Sequence, residues 1–205
     1  MKKITEDDIM RLLDLTYNAA LKGIPGLGTA EELAEEYIKK APTIDEAIDK
    51  LIFWQTSKCT ASGAVTGLGG IITLPVAIPA NISSTIYIQA RMIAAIAYMR
   101  GYDIRDDTVK SLVYMCLCGN AAKDIAKQLG IKLGNKVMFN MIKKLPGKII
   151  IEINKKVGFR LLTKFGQTGI VNLGKMIPLV GAVVGGGFDL VTTRTIGEIT
   201  KLTFC

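Results

Sequence analysis

The sequence contains no histidine, and this absence excludes several kinds of active site. Serine–histidine and cysteine–histidine nucleophile pairs cannot form without it, and histidine cannot ligate a metal ion. Carboxylates or lysine could still transfer protons. However, residues 132–164 hold one acidic residue, Glu152, and residues 165–205 hold only Asp189 and Glu198. We therefore expect a protein that is not an enzyme, and a histidine-free hydrolase stays open as an alternative.

Cysteine is scarce, and its spacing does not predict a metal site. Cys116 and Cys118 are separated by one residue, and Cys59 and Cys205 lie far away in the sequence. Structural zinc sites use a C-x₂₋₄-C spacing, so we expect small buried thiols, with no metal and no cofactor. Residues 1–8 lack the apolar stretch of a secretory signal. Reduced thiols in the cytoplasm are therefore expected.

Aromatic residues are also few, at 6%, whereas 49% of the chain is hydrophobic and 21 residues are glycine. This composition is typical of helices that pack closely or that meet lipid. Apolar periodicity indicates helices throughout, and no segment shows convincing strand alternation, with residues 148–153 ambiguous. We predict a compact all-α bundle in one domain, residues 1–205. Residues 1–42 would form an acidic helical hairpin, and residues 43–205 an apolar and basic body.

Local signals define several helix ends. Thr29 with Glu32, and Thr43 with Glu46, match the capping box, in which a hydroxyl and a carboxylate satisfy free amides at a helix start. Thr5 precedes another amphipathic run, and residues 23–28 indicate a turn. Further helix limits are predicted later in the chain. A C-cap is expected at Gly101, one helix of about 23 residues is expected from Asp106 to before Gly130, and short helices are expected to be cut at Pro146, Gly158 and Gly166.

Residues 59–90 contain no charged residue, but Pro75 and Pro79 interrupt them, so two helices that meet there are expected instead of one membrane span. Residues 63–69 and 181–187 agree at five of seven positions, both with repeated glycines. Neither segment matches a nucleotide-binding loop. Glycine costs about 1 kcal/mol in a helix interior, which close helix packing could offset. We predict two central Gly-rich helices that pack through Gly63, Gly67, Gly70, Gly181 and Gly185.

Two charged residues border long uncharged sequence. Arg91 follows the 32 residues just described, and Asp189 follows 13. Such charges need a partner, water or lipid headgroups. We predict a buried polar link in which Asp189 pairs with Arg91 or with Arg194. A gating or ligand-contact role is the alternative.

Positive charge is concentrated in residues 132–164, which hold nine basic residues and one acidic residue. Cations that alternate with large aliphatic residues are typical of a helix lying in the membrane interface. The expected headgroup-binding residues are Lys143, Lys144, Lys148, Lys155, Lys156, Arg160 and Lys164. A solvated face on a soluble bundle is the simpler alternative. Nucleic acid is not expected as a partner, because Phe139, Phe159 and Phe165 are predicted to lie in the core and arginine is scarce there.

Several ordered segments resemble the EcsC protein family: residues 67–75, 94–103, 155–164 and, most strongly, 172–186. The family is named from a gene beside an ABC transporter operon. The resemblance implies a bacterial protein in an intracellular, membrane-proximal setting, and it implies no catalytic residues.

The sequence is therefore consistent with two main functions. The first is a non-enzymatic cytoplasmic protein, peripheral to the inner face of the cell membrane or partly embedded in it, that binds anionic lipids through its lysine-rich segment. The second is a soluble helical protein that encloses a hydrophobic ligand such as a fatty acid. The sequence predicts no particular protein partner.

Overall fold

The computed structural model describes residues 4–60, 80–134, 142, 144–171 and 192–205. These residues contain no β-strand, and a single isolated bridge joins Ile24 to Leu27 in a turn. The predicted all-α fold is confirmed. The helices are α1 (Glu6–Lys22), α2 (Ala30–Ile38), α3 (Ile44–Thr60), α4 (Ala80–Met99), α5 (Asp107–Leu117), α6 (Ala121–Gln128), α7 (Gly147–Val171) and a C-terminal helix at residues 192–203.

Helix α4 lies at the centre of the fold. It packs against α1, α2, α3 and α5, and every side chain from Ile86 to Ala97 is buried. A helix that is mostly apolar around its whole circumference is stable only when other helices cover it. It ends as predicted at Gly101, which has φ +81°, and the Tyr102 N–H donates to the Ala97 carbonyl at 3.1 Å. This bond is the six-to-one bond of a Schellman cap.

Helices α1 and α2 begin at capping boxes. The Thr5 hydroxyl accepts from the Asp8 N–H, the Thr29 hydroxyl accepts from the Glu32 N–H, and each acidic side chain accepts from the cap N–H in return. The apolar face of α1, which includes Leu12, Leu13 and Tyr17, is buried. Both helices pack more extensively on α4 than on each other. The N-terminal pair is therefore part of the core.

We expect Thr29→Ala to lower the free energy of unfolding by about 1 kcal/mol, because the N–H of Glu32 loses its acceptor. Urea unfolding followed by circular dichroism would measure this change. Thr29→Ser is the matched control, since serine retains the hydroxyl and should unfold near the wild-type midpoint. Equal midpoints for the alanine and serine variants would contradict the capping interpretation.

The prediction of one long helix between Asp106 and Gly130 is wrong. Residues 118–120 separate α5 from α6, and Gly119 has φ +60°, a conformation that ends a helix and that glycine adopts readily. The two outer limits are confirmed. The Asp106 carboxylate accepts from the Thr108 and Val109 N–H groups, and Gly130 has φ +71°.

The prediction of short helices after Pro146 is also wrong. Helix α7 runs for 25 residues through both Gly158 and Gly166, and residues 148–153 are helical. Its buried residues Ile153, Val157 and Leu161 recur every fourth position, and α7 packs on α1, α5 and α6. At Gly158 an added Cβ would lie 3.5 Å from Met10 Sδ of α1. Glycine here accompanies helix contact and does not break the helix.

The C-terminal helix completes the core between α3, α4 and α5. The amide of Gln89 in α4 donates to the Thr193 hydroxyl at 3.0 Å, and Lys201 pairs with Asp49 of α3 at 2.6 Å. An added Cβ at Gly197 would lie 2.7 Å from Ile52 Cγ2, so the Ile52 side chain packs directly against the backbone of the C-terminal helix. The predicted meeting point near Pro75 and Pro79 and the five packing glycines lie outside the described residues.

Candidate functional site

Helix α7 carries most of the basic residues that the sequence singled out. Lys148, Lys155 and Arg160 have exposed side chains, whereas Lys156 and Lys164 are half-buried. Lys144 is exposed just before the helix, and Lys143 lies outside the described residues. The amine of Lys156 donates to Gln128 Oε1 of α6 at 2.8 Å. The structure therefore brings five of the seven predicted cations onto one helix, and two of those five are partly engaged by the protein.

Four exposed residues lie along one face of α7: Lys148, Ile151, Lys155 and Phe159, which we call the α7 stripe. They are spaced by three, four and four positions, which aligns them along a helix. The side chains of Ile151 and Phe159 are 67% and 60% exposed. Large apolar side chains that alternate with lysine on a solvent-facing stripe form an amphipathic surface on the outside of the bundle.

The exposure of Phe159 corrects the prediction that this ring lies in the core. The buried positions Ile153, Val157 and Leu161 already fix the phase of α7, and Phe159 falls opposite to them. A helical wheel for one continuous α7 identifies this ring and Ile151 as exposed. Because a helix break was expected at Gly158, the exposed positions of Ile151 and Phe159 on one continuous helix were not predicted.

A groove of about 920 Å³ lies beside the α7 stripe, between α6 and α7, with Glu6 of α1 also on its wall. It is open to solvent and does not enclose a ligand. Charges of both signs line it: the cations are Lys127, Lys155, Lys156 and Arg160, and the carboxylates are Glu6, Asp124 and Glu152. The ring of Phe159 also borders it. The sequence alone did not identify Asp124 and Lys127 of α6 as groove residues, because they line the groove only through the packing of α6 against α7.

Arg91 is the one member of the predicted polar link that the structure places in the core. Its side chain is 9% exposed, one guanidinium N–H donates to the Thr29 carbonyl at 3.3 Å, and its Nε has no protein acceptor among the residues described. Burial lowers the pKa of Arg91, and Tyr87, Glu32 and Glu36 oppose this effect. The observed link thus joins α4 to the start of α2.

The other two members of the predicted link differ in position. Arg194 lies on the C-terminal helix with an exposed side chain, because its position faces solvent between the buried residues Thr193 and Ile196. This exposure corrects the prediction of a buried side chain there. Asp189 lies outside the described residues, so its pairing stays a prediction.

Cys116 and Cys118 are poorly suited to nucleophilic or metal chemistry. The Cys116 thiol is buried and contacts the Thr203 hydroxyl at 3.4 Å, and burial raises its pKa to about 11. Burial also raises the pKa of Cys118 to about 12, against the opposing effect of Lys164 and Arg160. Since the thiolate is the reactive form, neither is activated at neutral pH. Within the described ranges, no three cysteine or acidic side chains are grouped to hold a metal ion.

A second exposed apolar pair lies on α3. Phe53 is 64% and Trp54 is 54% exposed, and their rings pack edge to face with centroids 5.8 Å apart. Only a few exposed charges lie close to this pair in the sequence, so it differs in composition from the α7 stripe. None of the helices described has both the length and the apolar character required to cross a bilayer.

The described fold and surface define a helical protein with an amphipathic outer helix. Comparison with known proteins adds its family. The model of the EcsC protein family matches residues 18–204, and this chain belongs to that family, as its sequence motifs indicated.

One curated relative shares part of the chain. The Bacillus subtilis (strain 168) protein named "Uncharacterized protein YdbA" is 31% identical over 102 residues, which cover 48% of this chain and 36% of that protein. The match therefore spans about a third of the relative's length. No solved structure matches the chain.

Proposed function

We propose that this protein binds reversibly to the anionic inner face of the cell membrane through α7, without catalysing a reaction. The observation that carries the proposal is the α7 stripe. Ile151 and Phe159 present most of their apolar surface to solvent, and Lys148 and Lys155 lie between and beside them. An interfacial helix places its apolar side chains at the headgroup boundary while its cations contact anionic lipids.

The magnitudes fit weak and reversible binding. A fully buried isoleucine or phenylalanine contributes about 1.5–3 kcal/mol, so the exposed parts of Ile151 and Phe159 together supply about 2–3 kcal/mol on transfer into lipid. Each cation near an anionic leaflet adds about 1 kcal/mol, which gives about 3 kcal/mol from Lys148, Lys155 and Arg160. A total near 5–6 kcal/mol corresponds to a dissociation constant of about 0.1 mM in accessible lipid.

Co-sedimentation with vesicles tests the proposal. We expect the protein to sediment with phosphatidylglycerol-containing vesicles at low salt, and to bind much less to vesicles of phosphatidylcholine alone. Raising the ionic strength from about 0.01 M to 0.15 M shortens the screening length from about 30 Å to 8 Å, so binding should fall several-fold. Equal binding to charged and neutral vesicles, or no binding to either, would overturn the proposal.

A further inference from the structure

The groove between α6 and α7 holds several charges of both signs that have no ion-pair partner among the residues the structure describes. Asp124 precedes Lys127 by three positions, and Glu152 precedes Lys155 by three, a spacing that allows ion pairs along a helix. Among the residues the structure describes, none of these four side chains, nor that of Arg160, forms an ion pair or a side-chain hydrogen bond. The groove therefore offers both donors and acceptors to a ligand.

This mixture of charges restricts the chemistry of a ligand. A bare phosphate would be attracted by the cations but repelled by the carboxylates of Asp124 and Glu152. A bare amine would be attracted by these carboxylates but repelled by the cations. A group that carries a phosphate and a primary ammonium on a short linker matches both sets by charge-assisted hydrogen bonds. A phosphocholine group has no N–H to donate, so it cannot hydrogen-bond the carboxylates. The groove, with a volume of about 920 Å³, is large enough to admit such a group.

We propose that this groove is a recognition site for the phosphoethanolamine group, presented by a membrane lipid next to the α7 stripe. Lys127, Lys155 and Arg160 contact the phosphate, and Asp124 and Glu152 accept hydrogen bonds from the ammonium. Phe159 borders both the groove and the stripe, so a headgroup in the groove lies beside the apolar contact with the bilayer. This inference rests on the proposed membrane function and adds a choice among headgroups to it.

The main test compares two vesicle compositions with the same fraction of phosphatidylglycerol, one filled with phosphatidylethanolamine and the other with phosphatidylcholine. We expect the wild-type protein to bind the first about three- to tenfold more tightly, as befits partly screened charged hydrogen bonds. Asp124→Asn/Glu152→Gln should abolish this preference while binding to phosphatidylglycerol persists. Glu35→Gln/Glu198→Gln, which removes two exposed carboxylates elsewhere, is the matched control and should retain the preference.

The outcomes separate the two proposals. A preference that survives in Asp124→Asn/Glu152→Gln would reflect the packing of the lipid and would overturn the groove site, as would equal binding of the wild type to both compositions. The membrane function would stand in either case.

A soluble arm separates lipid from free ligand. Amide shifts of residues 124–128 and 152–160 are recorded while O-phosphoethanolamine or phosphocholine is added. Suppose that O-phosphoethanolamine causes saturable shifts, phosphocholine causes none, and the protein does not bind vesicles. The groove would then recognise the phosphoethanolamine group, but the proposal that a membrane lipid presents it would be overturned. No shifts and no headgroup preference would overturn the inference entirely.

Discussion

The double variant Ile151→Ser/Phe159→Ser is expected to bind phosphatidylglycerol vesicles about 30- to 150-fold more weakly than the wild-type protein, because it loses about 2–3 kcal/mol of apolar transfer. Both side chains are exposed in the free protein, so the fold should not change. Co-sedimentation across a range of lipid concentrations gives the affinity, and circular dichroism checks the helix content.

Phe53→Ser is the matched control for the single variant Phe159→Ser, which is measured beside the double variant. Phe53 is 64% exposed, close to the 60% of Phe159, but it lies on α3, which is not among the helices that pack closely with α7. We expect this control to bind like the wild type. If Phe53→Ser weakens binding as much as Phe159→Ser does, exposed apolar area in general is responsible and α7 has no special role.

The second large effect concerns stability at the contact between α3 and the C-terminal helix. Gly197→Ala should lower the free energy of unfolding by about 1–3 kcal/mol, as overpacking does. Its added carbon would lie within 3.0 Å of three carbons of the buried Ile52 side chain. Denaturant unfolding gives the difference directly. The clash must exceed the gain of about 1 kcal/mol that alanine brings to a helix interior.

Two further variants make the test of Gly197 specific. Gly158→Ala changes another helical glycine, but its new carbon meets Met10 Sδ at 3.5 Å, an ordinary contact, so this variant should be about 0.5–1 kcal/mol more stable than the wild type. Ile52→Ala/Gly197→Ala should be less destabilised, by about 1 kcal/mol, than the sum of its two single variants. The shortened side chain at position 52 leaves room for the methyl group added at position 197. The same effect from alanine at Gly158 and Gly197 would contradict the close approach.

Local signals in the sequence predicted much of the fold. The capping pairs at Thr29 and Thr43 and the glycine at 101 fix helix ends through hydrogen bonds within a few residues, so their effect does not depend on distant packing. The errors arose where glycine had to be interpreted. Gly119 ends α5 with a positive φ, whereas Gly158 continues α7 beside Met10. The tertiary neighbour decides between these outcomes, and one sequence does not show it.

The candidate site was only partly predictable for the same reason. Clustering of lysine in residues 132–164 identified α7 as the segment of interest. Which cations point outward, and that Phe159 accompanies them, followed only from the phase of a continuous helix. Asp124 and Lys127 became candidates because α6 packs beside α7, and a contact between separate helices leaves no local pattern. The ion pair of Arg105 with Glu31 likewise joins residues far apart in the sequence and leaves no local pattern.

Helix α4 is covered on several sides, whereas α7 packs on α1, α5 and α6. Helices α1 and α5 contact both of them, so a displacement of α7 would have to shift α1 or α5 before it changed the packing of α4. If lipid leaves the slow amide hydrogen exchange of α4 unchanged, membrane binding does not alter the packing of the central helix. Faster exchange in the presence of lipid would mean that membrane binding weakens that packing.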